Sequence, residues 1–138
     1  MTSQLNVDTI VDKAGSGGTN VKIANTSVTV SEGSSATTNT VQGLTKCWVL
    51  FNGTSTIAST DSFNVSGLTD NGTGNYTVSI NNDMSVSNGF SCVGSDEDRG
   101  VGEVDPNGTG AVTCVRRDTS ASAQDCAQIS VTVNGDLA

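Results

Sequence analysis

From Lys46 to Ile80 the chain reads KCWVLFNGTSTIASTDSFNVSGLTDNGTGNYTVSI, and no part of it has helical periodicity. Cys47 to Phe51 is apolar throughout and is stopped by Asn52-Gly53. A short apolar run with such a stop predicts a strand in the middle of a sheet. Ser62-Phe63-Asn64-Val65-Ser66 and Asn75-Tyr76-Thr77-Val78-Ser79-Ile80 alternate strictly. That alternation predicts an inward face made of Phe63, Val65, Tyr76, Val78 and Ile80, with Ser, Asn and Thr outward. Between the two runs, Asn71-Gly72 supplies the positive φ that a tight hairpin turn needs. The expected core is therefore Trp48, Phe51, Phe63, Val65, Tyr76, Val78 and Ile80.

The rest of the chain agrees with strands. Val outnumbers Leu, and Ser and Thr are the commonest polar residues. β-branched and small polar side chains suit two-faced strands and disfavour helices. The expected fold is all-β. Only 34% of the 138 residues are apolar, a thin core for one domain of this length, which favours further burial between copies. The net charge of −8 repels phosphate backbones, so free nucleic acid is not an expected partner. No apolar run has the length of a membrane span, so membrane insertion is not expected. MTSQLNVDTI lacks the basic and apolar regions of a Sec signal, so synthesis in the cytosol as a soluble protein is expected, unless some other route carries it out.

In chain order, residues 1–45 read as an arm and linker. Leu5, Val7 and Ile10 form a short apolar strip. After Gly15-Ser16-Gly17-Gly18, Val21 and Ile23, then Val28 and Val30, mark two short strands. Gly33 to Thr40 is a linker by composition. This segment has no core of its own, so it needs copies of itself or a docking partner; a flexible tail is the alternative. Residues 46–138 read as one antiparallel β-sandwich or jelly-roll-like domain. Its further strands are expected at Gly89–Gly94, Ala111–Arg117 and Ala127–Val133, with a polar loop from Ser95 to Gly110. Asn71-Gly-Thr-Gly and Asn107-Gly-Thr-Gly form an internal echo, each before a strand.

Cys47, Cys92, Cys114 and Cys126 contain no CxxC pair, and the chain has no histidine. A zinc site is not expected. If the last two strands form a hairpin centred near Ser120, Cys114 and Cys126 face each other and could form a disulfide; the alternative is four small buried apolar residues. Without histidine, the Ser/His/Asp and Cys/His arrangements are closed off. Asp96-Glu97-Asp98-Arg99-Gly100 has the look of a calcium loop, but Asn107 stands where the closing glutamate belongs. A solvated acidic loop is expected there, and no cofactor. Six Asn-x-Ser/Thr sequons, at Asn25, Asn52, Asn64, Asn71, Asn75 and Asn107, read as turns in an Asn-rich chain.

Three stretches carry a family resemblance: Cys47-Trp48-Val49-Leu50-Phe51-Asn52-Gly53-Thr54, Asp61 to Ser66, and Thr69 to Val78 with its Thr-Asp-Asn-Gly-Thr-Gly-Asn-Tyr-Thr-Val. Together they resemble a module of tail fibres and other virion proteins of tailed phages, especially marine ones. Leu5-Asn6-Val7-Asp8-Thr9-Ile10, the Gly-rich bend with its strand to Ile23, and Ile129 to Gly135 resemble that family's flanking elements. The four cysteines and the acidic loop depart from its pattern. The resemblance implies a non-enzymatic, trimeric virion surface protein, either a short fibre or a capsid decoration (cement-type) protein. Its partners would be copies of itself and the major capsid or tail proteins. Leu5, Val7, Ile10, Val21, Ile23, Val28 and Val30 would form the docking and oligomerisation arm. A receptor-binding tip contacting a host-surface glycan is the alternative.

Overall fold

The computed structural model describes residues 29–31, 37–97 and 101–138. The chain divides into two units, Met1–Val41 and Gln42–Ala138. In the first, β1 (Thr29–Ser31) pairs antiparallel with β2 (Thr37–Asn39). The linker reading of Gly33–Thr40 is therefore corrected over its second half: three small polar residues form a strand, because the Thr37-Thr38 pair is β-branched. One helical turn, Thr40–Gly43, follows. Leu5, Val7, Ile10, Val21, Ile23 and Val28 lie outside the described residues, as do the side-chain surroundings of Val30.

The second unit is a β-sandwich. Its strands are β3 (Thr45–Asn52), β4 (Ala58–Phe63), β5 (Val65–Asp70), β6 (Asn75–Ile80), β7 (Ser91–Asp96), β8 (Val101–Pro106), β9 (Ala111–Arg117) and β10 (Ile129–Asn134). They form two antiparallel four-stranded sheets, ordered β4-β3-β10-β7 and β5-β6-β9-β8. The first and last strands of the domain, β3 and β10, lie side by side at the centre of the first sheet, with Val49 opposite Val131.

The second sheet explains the internal echo. Both Asn-Gly-Thr-Gly segments are hairpin turns, joining β5 to β6 and β8 to β9. In each, the Asn N–H donates to the carbonyl four residues on: Asn71 to Asn75 and Asn107 to Ala111, both 2.9 Å. The two hairpins meet along β6 and β9 in a local two-fold relation. Arg116 N donates to Gly74 O (2.7 Å), and its counterpart Ile80 N donates to Gly110 O (2.8 Å).

The core lies between the sheets. Cys47, Val49, Phe51, Ile129, Val131 and Val133 enter from one side, and Tyr76, Val78, Ile80, Val112 and Cys114 from the other. Phe51 and Tyr76 meet edge to face across the layers, with centroids 5.4 Å apart, an arrangement that suits the ring quadrupoles. The expected core residues Phe51, Tyr76, Val78 and Ile80 are buried, and Val65 packs at the margin.

Trp48 and Phe63 are not core residues. The apparently continuous strand Ser62–Ser66 is broken at Asn64, which takes φ 59°. Asn64 accepts from Asn82 N (2.8 Å) and donates Nδ2–H to Lys46 O (2.9 Å), which fixes a one-residue corner. Asn tolerates the left-handed region better than other non-glycine residues. The chain changes sheets there, so Phe63 and Val65 cannot share a face. Trp48 is the outward neighbour of inward Cys47 and Val49, a consequence of period two even in an all-apolar run.

The polar loop expected at Ser95–Gly110 contains β8. This is an edge strand with Glu103 and Asp105 exposed and Pro106 closing it, a place where proline is tolerated. The hairpin expected around Ser120 is corrected in extent: the turn forms, with Asp118 N donating to Ser122 O (2.8 Å) and Arg117 bridged to Ala123, but the last two strands do not pair beyond it. β9 and β10 belong to different sheets, Cys114 sits opposite Tyr76 and Val104, and all four cysteines are free.

Candidate interaction surfaces and the buried polar groups

Two polar groups are built into the apolar interior. Arg116, 1% exposed, follows Val112 and Cys114 on the inward face of β9. Its Nε lies 3.1 Å from Oδ2 of Asp96 on β7. The pair joins the two sheets where their edges come together. Beside it, a Cβ placed on Gly94 would stand 2.5 Å from Val104 Cγ2, so only glycine lets β7 and β8 approach this closely. On this side the sandwich is closed.

The second polar group surrounds the Tyr76 hydroxyl. It lies 2.8 Å from Asp125 Oδ1 and 3.0 Å from Gly53 O. The single hydroxyl proton goes to the carboxylate, the stronger acceptor. Asp125 Oδ1 also accepts from Gly74 N (2.8 Å), and Gly53 N donates to Cys126 O (2.9 Å). Burial pushes the tyrosine pKa far above its ordinary value, and the bond to Asp125 and that group's charge add to the rise. Tyr76 thus ties the Asp118–Gln128 loop to both sheets and is no surface aromatic.

Three of the thiols are held protonated by their surroundings. Burial pushes Cys47 up to about 11, and burial with the Asp96 charge does the same for Cys114. Cys92 is raised by burial and then by Asp105. Non-reducing mass analysis should find four free thiols. In the unfolded chain the thiols ionise near 9, while in the fold Cys47 and Cys114 keep their protons to about 11. These two side chains therefore stabilise the fold below pH 9, and that stability is lost as the pH rises toward 11. Each contributes on the order of 2 kcal/mol. The urea midpoint should fall between about pH 8 and about pH 10.5; an unchanged midpoint would contradict the burial of these thiols.

Among the described residues, no three His, Cys, Asp or Glu side chains gather as a metal site. Asp96, the first carboxylate of the calcium-like stretch, is turned inward onto Arg116. No described helix is long and apolar enough to cross a membrane.

The two outer faces differ in character. On the β5-β6-β9-β8 sheet, the pairing places Asn75, Val115 and Glu103 in one row and Thr77, Thr113 and Asp105 in the next. On the other sheet, Phe63, Trp48, Thr132 and Val93 form a row across all four strands. Phe63 is 54% and Val93 60% exposed, while Trp48 is half-buried between its neighbours. A row of aromatic and branched apolar side chains on an outer face marks a surface that meets something other than water.

A cleft of about 310 Å³ opens between the edge strands β4 and β5, lined by Ile57, Ser59, Ser62, Val65, Ser66 and Leu68 among others. Every residue of β4 is exposed, including those turned toward the other sheet. This side of the sandwich is open where the β7–β8 side is shut. The cleft was not legible in the sequence, because it follows from where β4 ends in the sheet order. No protein-family model matches the chain, and no curated protein or solved structure matches it.

Proposed function

We propose that this chain is a non-enzymatic structural protein of a tailed-phage virion, a short fibre or capsid decoration that assembles as a trimer on the particle surface. The observation that carries the reading is the long motif Cys47–Val78, which resembles that class of module. The physical argument runs alongside it. The interior is one layer of mostly small and β-branched side chains around Phe51, Tyr76 and Met84, with an ion pair in it, and apolar residues remain on one outer face and along an open seam. Such a domain gains stability from neighbours. The arm, with its apolar strip at Leu5, Val7 and Ile10, supplies attachment to capsid or tail proteins.

Light scattering of the purified protein should report three chains per particle; a stable monomer at micromolar concentration would contradict the assembly. Removing residues 1–31 should abolish attachment to virions while the domain stays folded. Full occupancy by the truncated protein would overturn the role given to the arm. Copy number per virion separates decoration, in the hundreds, from a tail part, present a dozen times or fewer.

A second reading, a receptor-binding tip, has one observation in its favour. Trp48 and Phe63 stand side by side on an outer face, not in the core, and aromatic surfaces of this kind stack on sugar rings. Trp48 is the single tryptophan, so host-surface polysaccharide that binds here should change the intrinsic fluorescence. No change at saturating polysaccharide would remove this reading.

A further inference from the structure

We propose that the seam between β4 and β5 receives an extended strand, residues Leu5–Ile10, from the arm of a second copy of the chain. This rests on the trimeric reading above and names the contact that would hold it together.

Four observations point to this occupant. First, β4 and β5 are the outer strands of their sheets, so each has a long side with no strand beside it among the described residues. Exposed strand edges are templates for a further strand. Secondly, the seam is a margin of the core. Ile57, Val65 and Leu68 are partly buried where they pack against the core cluster, and Ser59 and Ser62 on β4 line the same cleft. A strand with one apolar and one polar face matches that mixed lining. In Leu5-Asn6-Val7-Asp8-Thr9-Ile10, Leu5, Val7 and Thr9 share a face, and Asn6, Asp8 and Ile10 take the other, so the faces are apolar and polar from Leu5 to Asp8. Thirdly, the lengths agree. The strip has six residues, as do β4 and β5. Residues 11–28 span up to roughly 60 Å when extended, at about 3.3 Å per residue, which is enough to reach a neighbouring domain.

The fourth observation is charge. In residues 1–31, Asp8 and Asp12 are balanced by Lys13 and Lys22, whereas nearly all of the excess carboxylates lie beyond Val41. Two such domains repel when brought face to face. An arm that is neutral overall, with Asp8 the one charge within Leu5–Ile10, is repelled by an acidic domain far less than a second domain would be. No charged side chain lines the seam, so a charged small ligand finds no partner there, while a polypeptide finds backbone groups on both sides.

The test is cross-linking in the full chain with Val7→Cys and Ser62→Cys together, using a bismaleimide. Cys47, Cys114 and Cys126 are buried and Cys92 is half-buried, so the unsubstituted chain and the single variants report any reaction of the native thiols. The double variant should yield covalent dimers and trimers on denaturing gels, and neither single variant should. Cross-linked species of single-chain mobility would place the arm in its own domain and overturn the exchange between copies. No cross-link, with light scattering still reporting three chains, would overturn the seam while leaving the trimer standing. A monomer by light scattering would overturn both.

Discussion

Asp96→Ala is expected to lower the unfolding free energy by about 3–5 kcal/mol, because it takes the carboxylate from a buried guanidinium. Arg116 is 1% exposed and, with Val104, Cys114 and Ile129, lines a cavity of about 10 Å³. An arginine keeps its charge even when buried, so the site cannot escape the cost by losing a proton. The loss should also act locally. The Asp96–Arg116 pair and the Gly94–Val104 approach close the β7–β8 side, so the amides of β7 should exchange faster in the variant. Asp96→Ala combined with Arg116→Met should recover most of the stability, since an apolar pair in place of a buried ion pair is often neutral or better. Urea denaturation of the two single variants and the double one, read as a cycle, measures the coupling. A cost below about 1 kcal/mol for Asp96→Ala would mean that the pair does not hold the two sheets together.

The contrast between this pair and the rest of the core shows which parts of the fold a sequence can disclose. Strict alternation in Asn75–Ile80 and Ile129–Val133 determined both the strand and its inward face, because period two has only one reading. The Asn-Gly-Thr-Gly turns were equally legible. Trp48 and Phe63 were not. In Cys47–Phe51 every position is apolar, so the pattern cannot say which half faces inward, and residue size is a poor guide. In Ser62–Ser66 the alternation is intact, but Asn64 turns the chain into the other sheet, and that depends on bonds to Lys46 and Asn82, 18 residues away on either side. β8 was hidden because Gly102 occupies an inward position and its outward residues are Glu103 and Asp105. The turn about Ser120 was legible, but its pairing stops at Arg117 and Ala123, short of Cys114 and Cys126. It goes no further because β9 and β10 join different sheets. The seam follows from the sheet order, which sequence spacing does not encode. The sheet order is also what sets Arg116 opposite Asp96, and nothing in the local pattern of Ala111–Arg117 marks one of its two arginines as buried.

Gly74→Ala is the second large effect, and its symmetry-related neighbours allow it to be taken apart. Gly74 has φ +65°, and a Cβ there would stand 2.5 Å from Arg116 O and 2.9 Å from both Gln124 N and Gln124 O. All three are backbone atoms, so none can swing away as a side-chain tip would. The left-handed conformation costs an alanine about 1–2 kcal/mol, and forcing the neighbours apart costs about 1–3 kcal/mol more. The displaced backbone is also the acceptor for Arg116 N and the donor to Asp125, which in turn holds Tyr76. A total loss of about 3–4 kcal/mol is therefore expected. Gly108, in the other hairpin turn, has φ +77° and nothing within 4 Å of the missing Cβ; Gly108→Ala should show the conformational part alone, about 1 kcal/mol. Gly110 is the counterpart of Gly74 in the local two-fold relation. It has no positive φ, and its Cβ would meet the Asp83 carboxylate at 2.9 Å, a side chain that can turn aside. Gly110→Ala should therefore cost the least of the three. The ranking Gly74, Gly108, Gly110, read from urea midpoints, tests whether the Asp118–Gln128 loop lies against the β5–β6 turn. Equal losses at Gly74 and Gly108 would mean that the loop is not packed there, and with it would go the hydrogen bond that holds Tyr76 between the sheets.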